Sequence, residues 1–313
     1  MRLKPVVVYL TMKGGVGKTT LAANITRSIA DLEKKKILLI DADSQCNLTQ
    51  LFVPPEQLDE MNDRTIYQAL AGHKPYSPAD LKEQIYYSTK TGSQIDLIRG
   101  SFETFRLAVD SSPLLEQKTL GRFTNFIAEA KNDYDLIVLD TNPSATLVTM
   151  QALAVSNFLV APISFDKFSM RGIHLITSLL YERYEWLTNP LRVRIVPNRI
   201  KRPTDERTKS KLLEHELKLR EAFPDLSRCI VPSYIRESSI ISNASRGAGF
   251  VADQAVPNRN HLNNLLADLN NVAIDLLATF RAAFRHETEN QTNVIRAMRQ
   301  TYQTLFGRAV ERH

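Results

Sequence analysis

Six short runs of mostly apolar residues punctuate the first two-thirds of the chain, at residues 6–10, 37–40, 95–98, 136–139, 158–162 and 192–196. Most are nearly continuous in Val, Ile and Leu, the pattern of strands covered on both faces. Between them, residues 21–32, 115–130, 146–156 and 171–187 carry apolar side chains at helical spacing. Strands alternating with helices predict an α/β fold, a mostly parallel twisted sheet flanked by helices. Residues 53–94 are richer in Pro, Gly and Tyr and read as a decorated connection.

After Pro257 the pattern changes. Leu262, Leu265, Leu266, Leu269, Val272, Leu276, Phe280 and Phe284 recur every three or four residues and predict one long amphipathic helix. The polar stretch 286–293 reads as a break before a second helix with Val294, Ile295, Met298, Tyr302, Leu305 and Phe306 on one face. The expected division is therefore residues 1–256 as the α/β domain and 257–313 as a helical segment packed on it or appended to it.

Composition narrows the classes. Hydrophobic residues make up 43% and charged residues 24%, as in globular rather than disordered chains. No apolar run approaches the ~20 residues of a membrane span, and the first run is too short for a signal-peptide core. A cytoplasmic protein is expected. Cys46 and Cys229 form no CxxC pair and the six histidines show no ligand spacing, which argues against a disulfide framework and a zinc site. Net charge is +6, and residues 191–211 alone hold eight basic side chains against Asp205 and Glu206. Basic clustering of this kind suits a polyanion partner.

The chemistry begins at residues 12–20, Met-Lys-Gly-Gly-Val-Gly-Lys-Thr-Thr, between a predicted strand and a predicted helix. A glycine loop opening a helix turns backbone N–H groups toward a phosphate chain. Lys18 would reach the β- and γ-phosphates and the Thr19 hydroxyl would ligate Mg²⁺. Gly14, Gly15, Val16, Gly17 and Thr20 complete the nucleotide-binding set. The general pattern G-x-x-x-x-G-K-[ST] fails at its first position, where Met12 stands, and Lys13 follows instead.

The eight residues from Lys13 to Thr20 resemble the deviant phosphate loop of the ParA/MinD ATPases, in which the extra lysine reaches across a dimer interface to the partner's nucleotide. The resemblance gives Lys13 that role, beside Lys18 and Asp43 as catalytic residues. Residues 41–47, Asp-Ala-Asp-Ser-Gln-Cys-Asn, are similar to the family's D-x-D-P-Q-G-N, with Ser44 for proline and Cys46 for glycine. By that likeness Asp43 activates the attacking water and Asp41 supports the Mg²⁺ shell. Asp140 ends a later apolar strand and would hold Mg²⁺ through water. The family commonly continues D-x-P-P-S, whereas this chain has Asn142 at the first of those prolines. Asn198 resembles the residue near the adenine, and residues 230–247 resemble a stretch bordering the nucleotide and the dimer face.

The resemblance spans roughly residues 5–255 and implies a partition ATPase of the small class without an N-terminal helix-turn-helix. Its expected cofactors are ATP and Mg²⁺. Its expected partners are a second copy when ATP is bound, non-specific DNA on the nucleoid, and a ParB-like adaptor that stimulates slow hydrolysis. Candidate DNA contacts are Arg199, Lys201, Arg202, Lys209, Lys211 and Arg236. The alternative is a MinD-like ATPase cycling on membrane through its last helix, whose apolar face lacks Trp; no stable membrane association is expected. A cluster-carrying or electron-transfer ATPase would need interface cysteines that this chain does not provide.

Overall fold

The computed structural model describes residues 4–57, 63–109, 112–144, 146–164, 166–180, 189, 191–201, 210, 214, 217–218, 220–242 and 248–310. Seven strands form one sheet: β1 (Val6–Tyr9), β2 (Lys36–Ala42), β3 (Glu83–Tyr87), β4 (Gln94–Ile98), β5 (Leu136–Thr141), β6 (Phe158–Ser164) and β7 (Val193–Asn198). Their order across the sheet is β3-β4-β2-β5-β1-β6-β7. All neighbours run parallel except β3 and β4. The six strands expected from the apolar runs are all present. β3 lies in the stretch read as a connection, and its half-exposed Glu-Gln-Ile-Tyr-Tyr pattern is that of a short edge strand.

Helices cover both faces: α1 (Lys18–Glu33), α2 (Asn47–Phe52), α3 (Ile66–Ala71), α4 (Pro78–Leu81), α5 (Thr104–Val109), α6 (Pro113–Asp133), α7 (Leu147–Val155), α8 (Lys167–Leu180), the single turns α9 (Pro224–Ser227) and α10 (Ser239–Ser242), and α11 (Arg259–Val310). Alternation along each strand sorts its side chains between two cores. Val6, Val8, Leu38 and Ile40 pack with Phe123 and Phe126 of α6, Leu153 of α7 and Ile173 of α8. Val7, Tyr9, Ile37 and Leu39 pack instead with Leu21 and Ile25 of α1 and with Leu265, Leu269 and Leu276 of α11. Each fully buried aliphatic or aromatic side chain contributes about 1.5–3 kcal/mol.

The C-terminal prediction needs correction, because α11 is one helix of 52 residues rather than two. Residues 286–293 are polar but contain neither Gly nor Pro. Polarity alone does not interrupt the backbone ladder of a helix. At the margins of α11, Arg236 from the segment before α10 donates through Nη2 to Asp268 Oδ1 at 2.5 Å and through Nε to Oδ2 at 2.7 Å, while Arg281 reaches Glu33 Oε1 of α1 at 2.7 Å. Among the described residues no helix is long and apolar enough to cross a membrane.

Candidate nucleotide-binding site

β1, the central strand between β5 and β6, delivers the chain to a loop at the carboxyl edge of the sheet. Ligand sites of open parallel sheets lie beyond that edge. Gly15 and Gly17 adopt left-handed backbone, φ 73° and 84°, which carries the loop into the first turn of α1. A Cβ at Gly17 would stand 3.0 Å from the Asn198 amide nitrogen, so this glycine is required by space as well. The loop borders a cavity of about 350 Å³ lined by Thr11, residues 13–20 of the loop, Asp43, Gln45, Asn47, Gln50, Leu51 and Pro143. The first N–H groups of α1 have no intrahelical partner. Lys18, Thr19 and Thr20, which carry them, line the cavity.

Asp41 and Asp140 stand side by side because β2 and β5 are register partners, with Asp140 opposite Tyr9 of β1, and Asp43 follows just past the end of β2. Asp41 and Asp140 are fully buried and Asp43 nearly so. Lys18 Nζ donates to Asp140 Oδ1. Asp140 Oδ2 is buried and has no hydrogen-bond partner among the described residues. Burial raises the Asp140 pKa although Lys18 and the Thr19 hydroxyl pull it down. Asp41 is pushed up to about 7, first by burial and then by the Asp140 charge. Its Oδ2 accepts from Thr49 N and Oγ1, both at 2.7 Å, which ties the end of β2 to α2. Asp43 Oδ1 accepts from Gln45 N at 2.9 Å and from Asn142 Nδ2 at 3.0 Å.

Cys46 occupies the left-handed position before α2, at φ 55°, where the similar motif has glycine. Burial and the Asp41 and Asp43 charges lift its thiol well above the usual range, so it is no nucleophile. Lys13 sits at the cavity rim, its side chain 52% exposed, and donates to Asp166 Oδ2 at 3.1 Å. Burial opposes the ionised form of Asp166, yet the hydrogen bonds from Ser169 and Lys13 hold its pKa below the ordinary value.

Asn198 is buried, and its Nδ2 donates to Val16 O. Its amide therefore braces the loop from behind. The basic segment divides. Arg192 is buried, lies over the Phe158 ring at 5.3 Å and donates to Asn157 O. Arg194 donates to Thr279 Oγ1 and Arg228 O. Arg199 and Lys201 are exposed just past β7, whereas Arg202, Lys209 and Lys211 lie outside the described residues. Arg236 is engaged with Asp268. Sequence reasoning missed Thr49, Asn142 and Asp166, each of which holds a residue it did find. For Asn142 the signal was present, as a departure from the motif.

The set fits a nucleoside triphosphate with a divalent cation. Among the described residues no three His, Cys, Asp or Glu side chains converge into a self-sufficient metal site. A cation here would therefore draw on the Thr19 hydroxyl, phosphate oxygens and waters, with the unpartnered Asp140 Oδ2 as a buried acceptor.

Known proteins are similar to this chain in sequence and in fold. The chromosome-partitioning ATPase Soj of Treponema pallidum is 31% identical over 170 residues, which cover 54% of this chain and 61% of that protein. The match to curated relatives of this kind spans about three fifths of their length. The structure of pNOB8 ParA bound to nonspecific DNA superposes with a TM-score of 0.61 at 22% identity, covering 90% of this chain and 99% of that one. The ATP complex of a Cyanothece McdA variant gives 0.63 at 19% identity, covering 88% and 96%. At such identities these two structures establish the fold. The family model described as an AAA domain, AAA_31, matches residues 4–193, well over half of the chain, which therefore belongs to that family as a P-loop ATPase of the ParA type.

Proposed function

We propose that this chain is a partition-type positioning ATPase. It binds ATP with Mg²⁺, closes into a dimer around the nucleotide, and in that state binds DNA without sequence preference. Slow hydrolysis, stimulated by a ParB-like adaptor, then releases it. The observation that carries the reading is a single cavity uniting the deviant loop with Asp43, with Lys13 half exposed at its rim. A lysine that serves a partner subunit must be reachable from outside, and Lys13 is.

Lys18 exchanges its Asp140 partner for phosphate oxygens, and the α1 N-terminus adds its N–H groups. A divalent cation held here would supply charge neutralisation at the phosphates. Thr19 would hold it directly, Asp140 through water, and Asp41 from behind. Asp43 orients the attacking water. Its Oδ2 accepts no hydrogen bond among the described residues, and its Oδ1 is already held. Arg199 and Lys201, with Arg202, Lys209 and Lys211, would neutralise DNA phosphates, an affinity that depends on charge rather than sequence. The names of the relatives and the DNA-bound pNOB8 structure support this choice of polyanion.

Asp43→Ala is the test. The variant is expected to bind ATP and dimerise, to lose hydrolysis, and to remain on DNA of any sequence. Hydrolysis at the parental rate would remove Asp43 from its role. Binding to anionic liposomes, with no affinity for DNA at moderate salt, would turn the reading to membrane cycling.

A further inference from the structure

We infer that Asn142 is a positioning residue for hydrolysis, clamping Asp43 so that one carboxylate oxygen is presented to the attacking water. The inference rests on the proposed role of Asp43 and adds a residue to it. Asn142 follows β5 directly and lies half-buried between the loop after β2 and its own loop. Its Nδ2 donates to Asp43 Oδ1 at 3.0 Å, and its Oδ1 accepts the Ser144 N–H at 2.9 Å. The two partners fix the amide's orientation, because a carboxylate can only accept and a backbone N–H can only donate.

With Gln45 N on the same oxygen at 2.9 Å, Asp43 Oδ1 has two donors, and the carboxylate cannot rotate away without losing a bond. Gln45 is braced in turn, since Gln50 Nε2 donates to its carbonyl at 2.8 Å. One side of the clamp thus comes from the Asp43 loop and the other from the loop of Asp140. A hydrogen bond to an ionised acceptor is about twice as strong as a neutral one. Proline, the residue of the similar motif at this position, has no side-chain donor. The contact is therefore a feature of this sequence rather than of the motif.

The experiment compares Asn142→Ala, Asn142→Asp and Asn142→Leu with Asp43→Ala, measuring kcat, KM for ATP and ATP-dependent dimerisation at mildly alkaline pH. Asn142→Ala is expected to lower kcat by roughly 10- to 100-fold, the cost of a misplaced catalytic group, with KM and the dimer changed little. Asn142→Asp keeps the acceptor for Ser144 but sets a second carboxylate against Asp43, so its loss is at least as large. Asn142→Leu keeps the shape without either bond and should match Asn142→Ala. Parental kcat in Asn142→Asp would show that only the Ser144 contact matters and would overturn the inference. So would a fall in nucleotide affinity that accounts for the whole loss. An active Asp43→Ala protein would instead remove the reading beneath it, an outcome separable from the others because it appears without any change at Asn142.

Discussion

Where α11 lies along α1, the buried surface is made by Leu265, Leu269, Val272, Leu276 and Phe280. Charges stand in pairs on the same helix, Arg281 with Glu33 of α1 and Asp268 with Arg236 of the segment before α10. At the carboxyl edge of the sheet the proportions reverse. Asp41, Asp43, Asp140 and Lys18 are buried beside one another, Asp41 and Asp140 hold protons more tightly than usual, and one Asp140 oxygen has no partner. Burying charge without full compensation costs stability, whereas burying leucines provides it. One region is thus arranged for cohesion, and the other keeps an electrostatic cost in place that a ligand can relieve.

The sharpest way to break this contrast is to make the carboxyl edge apolar. Lys18→Met together with Asp140→Leu should abolish ATP binding while leaving thermal stability unchanged or higher, as replacing a buried ion pair by apolar groups often does. A marked loss of stability in this double variant, followed by calorimetry, would make the pair structural and erase the contrast.

The opposite substitution belongs in the seam. Leu276→Ala should destabilise the chain by about 2–5 kcal/mol in denaturant titration. ATP turnover per folded molecule should remain at the parental level, since Leu276 is not among the residues that line the cavity. The smallest effect on stability is expected from Lys13→Ala, which removes a half-exposed ion pair of about 0–1 kcal/mol. Its effect should appear in assembly instead. Size measurements with ATP should show a weakened dimer, and an unchanged ATP dimer would refute action across the interface.

Much of the carboxyl edge was legible beforehand, because phosphate chemistry demands particular residues in contiguous runs. Lys13 to Thr20, Asp41, Asp43 and Asp140 all lie at the edge where strand ends placed them. What remained hidden depends on contacts between segments. The bond from Asn198 to Val16 joins residues 182 apart, and that from Asn142 to Asp43 joins residues 99 apart. A local pattern can mark one member, as the motif departure at Asn142 did, but it does not name the distant partner. The charge of Arg192 and Arg194 gave no sign that both would be drawn inward by aromatic and carbonyl partners on β6, α11 and the turn before Ile230. β3 was missed because a half-exposed edge strand lacks the apolar continuity that marked the others.

The place of β1 also sets a schedule for synthesis. The strand that carries the phosphate loop is made before both of its neighbours, β5 and β6. Val6 N must find the Asn157 side chain, 151 residues later. At about 5–20 residues per second, the gap is on the order of 10 s. Until β5 is made, Val-Val-Val-Tyr-Leu has no neighbouring strand to join, and ATP finds no site to stabilise. An apolar strand that waits unpaired is open to association with a neighbouring chain, a hazard that a ligand binding only the finished site does nothing to reduce.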